Sequence, residues 1–304
     1  MKRRRVNGVE INGVEIDGWR GGRRDDQHKF RTGFATEYRA TRSELRLHVQ
    51  ASLAGGCTRV WIRTGSSNVA LASDLDTFAA LVDDLDCPIE LISTDGDRSV
   101  PSEVRAATVA TICASANVTR WYSQNYNDDG RAHPKLRPYP IGLDLHTVRS
   151  PHLDTPSKIL EAMRAALAAA PRTKELKIYC DVKARGTDRF GGHRRLVVEL
   201  LNAAPHGVVQ EARVTVEAAW REYARHQFVV CPPGNGRDTH RCWEVLALGS
   251  IPIVVSSRLD ALYAPLPVII LDDWMDMCDP SRLEGWKTQA AAKRGNVDPF
   301  RAAR

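Results

Sequence analysis

Features that anchor a chain in a membrane or send it into the secretory pathway are missing from this sequence. No apolar run approaches the ~20 residues that a membrane-spanning helix needs. The basic start MKRRRVNGVE is not followed by an apolar segment, so it does not have the pattern of a signal peptide. We therefore expect a soluble, cytoplasmic protein without a membrane span.

Paired cysteines and aromatic clusters are also scarce. The seven cysteines are scattered and form no CxxC pair, which argues against a cysteine zinc site and favours buried, reduced thiols. Aromatic residues make up only 7% of the chain and form no stacking array, so nucleic acid is not the expected partner. The net charge of +6 still favours an anionic ligand, such as a nucleotide-sugar, a nucleic acid or an acidic glycan.

What the sequence does contain is an alternation of helical and strand-like segments over 304 residues. Among them, the apolar spacing predicts an amphipathic helix over 73–85, a helix at 193–203 and a strand near 208–214. Residues 1–40 are rich in charge and glycine, which predicts a poorly ordered N-terminal arm. Prolines and few apolar residues near 148–157 mark a boundary between α/β domains at 41–150 and 151–304. We expect mostly parallel sheets in two halves that face a cleft, with ligands beyond the carboxyl ends of the strands.

The most informative segment is residues 228–255, with the pattern strand, glycine-rich turn, helix, strand. Bare backbone N–H groups, a helix N-terminus and an arginine together favour a phosphorylated ligand. A carboxylate one turn further along the helix suits the diol of a ribose. The residues predicted to bind the nucleotide here are Asn235, Gly236, Asp238, His240, Arg241 and Glu244.

This segment resembles the exostosin-like glycosyltransferases in PGNG at 233–236, DTHR at 238–241, WEVL at 243–246 and GSIPIV at 249–254. PIGLDLHT at 140–147 and WYSQN at 121–125 are similar more loosely. The resemblance implies a GT-B fold of two Rossmann-like domains, with the nucleotide-sugar held mainly by the C-terminal domain. It also implies an inverting transfer without an obligatory metal. The resemblance does not extend to the substrate. Independently of it, we expect a glycan, a glycoprotein or another hydroxyl group as the acceptor, and no obligatory cofactor. A UDP-sugar is the favoured donor, with a GDP-sugar as the alternative.

The resemblance places Arg241 on the donor diphosphate and Glu244 on the ribose. Being three residues apart on one helix, these two side chains could instead form a surface ion pair. Asn235, Gly236 and Asp238 would shape the phosphate loop, or form an ordinary turn and helix cap.

A basic loop, KARGTDRFGGHRR at 183–195, follows the first predicted strand of the second domain. Lys183, Arg185 and Arg194 are candidates to neutralise the donor pyrophosphate and its leaving group. The alternative is a solvated basic loop.

Asp144 and His146, in PIGLDLHT, are the candidates for the general base that activates the acceptor hydroxyl. The alternative roles are a structural cap and a surface histidine. On the predicted acceptor side, Gln124 and Asn125 could bind sugar hydroxyls or belong to a polar loop. The triplet Asp95-Gly96-Asp97 resembles a DxD motif, but we interpret it as a turn or acceptor contact and predict no metal site.

Three alternatives to this assignment remain open from the sequence. One is a fucosyltransferase-like enzyme with a guanosine donor, and another is a basic protein that binds nucleic acid, with steeply salt-dependent affinity. The third is a nucleotide-sugar binder without catalysis. The sequence leaves the oligomeric state open.

Overall fold

The computed structural model describes residues 42–54, 58–65, 73–128, 130, 133–145, 149–183, 189–190 and 192–293. The predicted arm at 1–40 lies outside these ranges. The chain divides into two compact units, Met1–Ile141 and Gly142–Arg304. The assignment of an acceptor-side domain at 41–150 and a donor-side domain at 151–304 remains a prediction.

The first unit is built around a four-stranded parallel sheet. Its strands are β1 (Arg59–Gly65), β2 (Ile89–Gly96), β3 (Val100–Pro101), β4 (Val118–Ser123), β5 (Tyr126–Asn127) and β6 (Leu136–Pro138). The order in the sheet is β1-β2-β4-β6, and β3 pairs separately with β5. Its helices are α1 (Arg42–Ala54), α2 (Asp74–Ala79) and α3 (Ala106–Ala114), with a 3₁₀ helix at Val82–Asp84.

The helix predicted over 73–85 is divided in the structure. Ser73 begins α2 with a capping box, in which its hydroxyl accepts from the Asp76 N–H and its own N–H donates to the Asp76 carboxylate. The α-helix ends at Ala79, where the Leu81 N–H bonds to the Phe78 carbonyl three residues back and a 3₁₀ turn follows. Phe78 and Leu81 both belong to the core, so one apolar pattern serves both segments.

The second unit contains a five-stranded parallel sheet. Its strands are β7 (Glu175–Cys180), β8 (Gly207–Val209), β9 (His226–Val230), β10 (Ile251–Val255) and β11 (Ile269–Leu271). Their order in the sheet is β11-β10-β9-β7-β8. Its helices are α4 (Pro156–Ala168), α5 (His193–Ala203), α6 (Val216–Arg225), α7 (His240–Ala247), α8 (Asp260–Tyr263) and α9 (Arg282–Ala291), with a 3₁₀ helix at Trp274–Cys278. The strand predicted near 208–214 is shorter, because the exposed residues 211–213 leave the sheet.

The neighbouring strands β7 and β9 fix the place where a ligand can bind in the second unit. All five residues of β9 are buried, as in a central strand of a parallel sheet covered on both faces. Tyr179 aligns with Val229, so both strands end at the same level. The segments after Cys180 and Val230 therefore emerge side by side at the carboxyl edge, where ligands bind in open α/β sheets.

The α/β class with parallel sheets is confirmed and is compatible with a Rossmann-like fold. The arrangement of two Rossmann-like domains that face a cleft remains a prediction. Among the described residues, no helix has both the length and the apolar character needed to cross a bilayer.

Candidate nucleotide-binding site

A cavity of about 1030 Å³ opens in the second unit at the carboxyl ends of β7 and β9. Asp181 and Lys183 enter it from the segment after β7, and Arg194 enters from α5. The first turns of α7 supply Arg241 and Glu244. The parallel topology thus brings together Asp181 and Glu244, which lie 63 positions apart in the chain.

The lining of this cavity carries an excess of positive charge. Six arginine and lysine side chains line it against three carboxylates, which leaves a net charge of about +3 if the two histidines are neutral. The six cations are Arg149, Lys183, Arg194, Arg213, Arg221 and Arg241, and the three carboxylates are Asp181, Glu217 and Glu244. A concave surface of this charge attracts anionic ligands.

Arg241 is held by a network at the end of β7. Its Nη2 lies 3.0 Å from Asp181 Oδ1, and its Nε donates to the Tyr223 hydroxyl at 3.1 Å. The Tyr223 hydroxyl in turn donates to Asp181 Oδ2 at 2.7 Å. Burial alone would lower the pKa of Arg241, but Tyr223 and Asp181 outweigh it and raise that pKa well above its usual value. The guanidinium is therefore always charged and is fixed in position.

The glycine-rich turn holds Arg194 at the wall of the cavity that Arg241 also lines. Arg194 donates from Nε to the Pro233 carbonyl at 3.0 Å. A Cβ placed on Gly234 would lie only 2.7 Å from Arg194 Nη2, so the bare glycine leaves room for the guanidinium. Burial and then the charge of Arg241 lower the pKa of Arg194. Two guanidinium groups that repel each other at one cavity favour a bound anion.

A second arginine secures the tip of the same turn. Arg189 Nη1 donates to the Asn235 carbonyl at 2.5 Å, and its guanidinium lies 5.2 Å from the centre of the Phe190 ring. Arg237 lies 4.8 Å from the same ring centre. Asn235 itself is exposed and Gly236 is buried. The turn is thus held by cation–π and backbone contacts at its outer side.

Glu244 is buried one turn along α7 and is paired with a residue that the sequence did not point to. Arg149 Nη2 lies 3.0 Å from Glu244 Oε1 and 2.7 Å from Asp144 Oδ2. Burial raises the pKa of Glu244, and Arg149 opposes this effect. His240 Nδ1 lies 2.8 Å from the Gly142 carbonyl, and burial lowers the pKa of this histidine. The alternative interpretation, a surface ion pair between Arg241 and Glu244, is not the arrangement found, since Arg241 is paired with Asp181 and Glu244 with Arg149.

Asp238 supports the site from within the core. It is 1% exposed and accepts a hydrogen bond from Trp243 Nε1 at 2.9 Å and another from the Tyr263 hydroxyl at 2.7 Å. The N-cap of α7 is Thr239, and no side chain in the described part of the chain caps that end. Trp243 is buried and belongs to the core. Asp238 therefore fixes the start of α7 through its side-chain partners.

The other predicted site residues are distributed as follows. Lys183 is exposed at the cavity wall, whereas Arg185 and His146 lie outside the described residues. Asp144 is buried beside Arg149. The role of Asp144 or His146 as general base remains a prediction.

In the first unit, the predicted acceptor residues surround the turn at the end of β2. Gln124 Nε2 and Asn125 Nδ2 donate to the Gly96 carbonyl at 2.7 and 3.1 Å, and both side chains are buried. Asp97 is half-buried, and the side chain of Asp95 is not among those described. Within the described ranges, no three His, Cys, Asp or Glu side chains cluster closely enough to hold a metal ion. The amides thus stabilise a turn, and acceptor binding remains a prediction.

Sequence reasoning missed three residues of the site. Asp181 directly follows β7 and could have been found by extending the carboxyl-end argument to that strand. Tyr223 looks like any core residue of the amphipathic helix α6. Arg149 lies 95 positions from Glu244, and nothing in the local pattern singles it out.

Comparisons with known proteins do not assign the chain to a family. No protein-family model matches the chain, and no curated protein is significantly similar to it.

Proposed function

We propose that the protein is a glycosyltransferase that binds a nucleotide-sugar in the cavity at the ends of β7 and β9. The main support for this proposal is that Arg194 and Arg241 line the same cavity, which carries excess positive charge beside the glycine-rich turn. A diphosphate would relieve the repulsion between the two guanidinium groups and accept from the N-terminal N–H groups of α7. The resemblance of 228–255 to exostosin-like glycosyltransferases supports the same ligand.

In this proposal each group has a stated task. Arg194 and Arg241 stabilise the negative charge that develops on the departing nucleoside diphosphate. Glu244 accepts hydrogen bonds from the ribose hydroxyls. A general base, with Asp144 and His146 as candidates, takes the proton of the acceptor hydroxyl as that oxygen attacks the sugar C1. The bond between C1 and the diphosphate oxygen breaks as the new bond forms. The favoured donor is a UDP-sugar, with a GDP-sugar as the alternative.

The test is incubation of the protein with a panel of UDP- and GDP-sugars, measured as release of free nucleoside diphosphate and as ligand-induced thermal stabilisation. We expect one donor to release its diphosphate and to stabilise the protein. Arg172→Met changes an exposed arginine outside the cavity lining and should behave like the wild type. It is the matched control for substitutions of the cavity arginines. If no donor stabilises the protein and none releases diphosphate, the proposal fails.

A nucleotide-sugar binder without transferase activity is the second candidate. The observation that favours it is the ion pair between Arg149 and Asp144, because Asp144 is one of the two candidates for the general base. The same panel separates the two functions, because a pure binder would be stabilised by a donor that it does not consume.

A further inference from the structure

Arg149 occupies an unusual position in the cavity wall. Its Nη2 lies within 3.0 Å of carboxylate oxygens on two residues, Asp144 and Glu244, whose side chains are both less than a tenth exposed. Its Nε is buried without a hydrogen-bond partner among the described residues. The guanidinium is thus paired with two carboxylates of the protein and is not free to bind a ligand in the cavity.

We propose that Arg149 is a positioning residue that keeps the Glu244 carboxylate ionised and oriented for a vicinal diol, the 2′- and 3′-hydroxyls of a bound ribose. This inference rests on the proposed function and adds a residue to it. An ionised carboxylate can accept a hydrogen bond from each of the two hydroxyls. A protonated acid has an O–H donor in place of one of these acceptor sites. A residue that secures the charge of Glu244 would therefore determine how strongly the ribose contributes to binding.

The charges around Glu244 explain why it needs such a partner. Burial raises its pKa, and the neighbouring Asp144 raises it further, as expected for a second negative charge. Arg149 opposes both effects, and Arg241 on the same helix opposes them more weakly. The buried hydroxyl of Tyr223 also interacts with Glu244. Removal of Arg149 would leave burial and Asp144 to favour the protonated acid.

The sign of the pH dependence follows from these charges. The carboxylate form of Glu244 binds the diol, so the contribution of the ribose falls as the pH falls through the raised pKa of Glu244. Without Arg149 that pKa rises further, and the loss begins at a higher pH. Raising the pH should then restore the contribution of the ribose in the variant.

The experiment compares two pairs of ligands in four proteins. The affinities of UDP and 2′,3′-dideoxy-UDP, and of the matching guanosine pair, are measured by calorimetry between about pH 6 and pH 9, the range in which buried carboxyl groups titrate. The proteins are the wild type, Arg149→Met, Arg149→Lys and the exposed control Arg172→Met. Thermal unfolding of each protein verifies that it is folded.

We expect loss of the two hydroxyls to cost the wild type about tenfold or more in affinity, as for hydrogen bonds to a charged group. In Arg149→Met at low pH the ribose and dideoxy ligands should bind with affinities within about threefold of each other, less than the effect of one good hydrogen bond. The difference should return at high pH. Arg149→Lys should preserve much of it, because an ammonium also stabilises the carboxylate, and Arg172→Met should match the wild type.

Three results would overturn the inference, and they are distinguishable. If both ligands lose the same affinity in Arg149→Met, Arg149 contacts the phosphates and does not act through Glu244. If the wild type binds the ribose and dideoxy ligands equally, Glu244 does not bind a diol, although the proposed function stands. If the wild type binds neither UDP nor GDP, the proposed function fails together with the inference.

Discussion

Replacement of Arg241 by methionine tests the network at the end of β7, because this side chain has both a structural and a proposed binding role. Arg241→Met removes the ion pair with Asp181 and the hydrogen bond to Tyr223, at 3.0 and 3.1 Å. Breaking a buried pair from one side costs about 3–5 kcal/mol. Since the Arg241 and Asp181 side chains are 21% and 12% exposed, solvent screens part of this cost, and we expect a loss of about 2–3 kcal/mol.

The double variant Arg241→Met/Asp181→Asn separates the two roles. Removing the uncompensated carboxylate should recover most of the lost stability, because the amide of Asn can still accept from Tyr223. Affinity for a nucleoside diphosphate should nevertheless stay about 10²-fold below that of the wild type in the double variant, as for loss of one electrostatic donor. Asp181→Asn alone should bind the anion more tightly than the wild type, because it removes a negative charge from the cavity.

Urea unfolding gives the stabilities, and calorimetry with UDP and GDP gives the affinities. A free energy of unfolding of Arg241→Met within about 0.5 kcal/mol of the wild-type value, the range of an ordinary surface change, would contradict the stabilising role of Arg241. Wild-type affinity in the double variant, which lacks Arg241, would contradict its role in binding the diphosphate.

Two further substitutions test the glycine-rich turn and its support. Gly234→Ala should push Arg194 aside and weaken binding of UDP by about tenfold, with stability changed by less than about 1 kcal/mol, because the displaced atom ends a flexible side chain; calorimetry and thermal unfolding check this, and unchanged affinity would contradict it. Gly285→Ala, where an added Cβ meets nothing within 4 Å, is the matched control. Asp238→Ala should lower the free energy of unfolding by about 2–5 kcal/mol, because it leaves the Trp243 indole and a buried tyrosine hydroxyl without their acceptor; urea unfolding near the wild-type midpoint would show that this reasoning is wrong.

Local patterns in the sequence were sufficient to predict most of the elements. The helix α5 has the predicted bounds, 193–203, because its apolar spacing is encoded in adjacent residues. The strand–turn–helix–strand order of 228–255 was likewise predicted from its apolar runs and glycines. Where a prediction failed, as for the single helix over 73–85, the same apolar side chains reach the core from two short helical segments.

The partners within the site could not be predicted in this way. Spacing on α7 suggested that Arg241 and Glu244 face each other, but their actual partners are Asp181 and Arg149. Asp181 reaches Arg241 because β7 lies beside β9 in the sheet, which is a fact of topology rather than of local sequence. Arg149 comes from a segment without a periodic pattern. The residue types could be predicted, whereas the pairings depend on long-range packing.

The most direct test of the account is calorimetric titration of UDP and GDP into the wild type and into the double variant Arg194→Met/Arg241→Met, each at low and at moderate salt. We predict saturable binding of one nucleoside diphosphate to the wild type, weaker at higher salt, and no measurable binding to a folded double variant. Equal binding to both proteins, or no binding of either ligand to the wild type, would contradict the account.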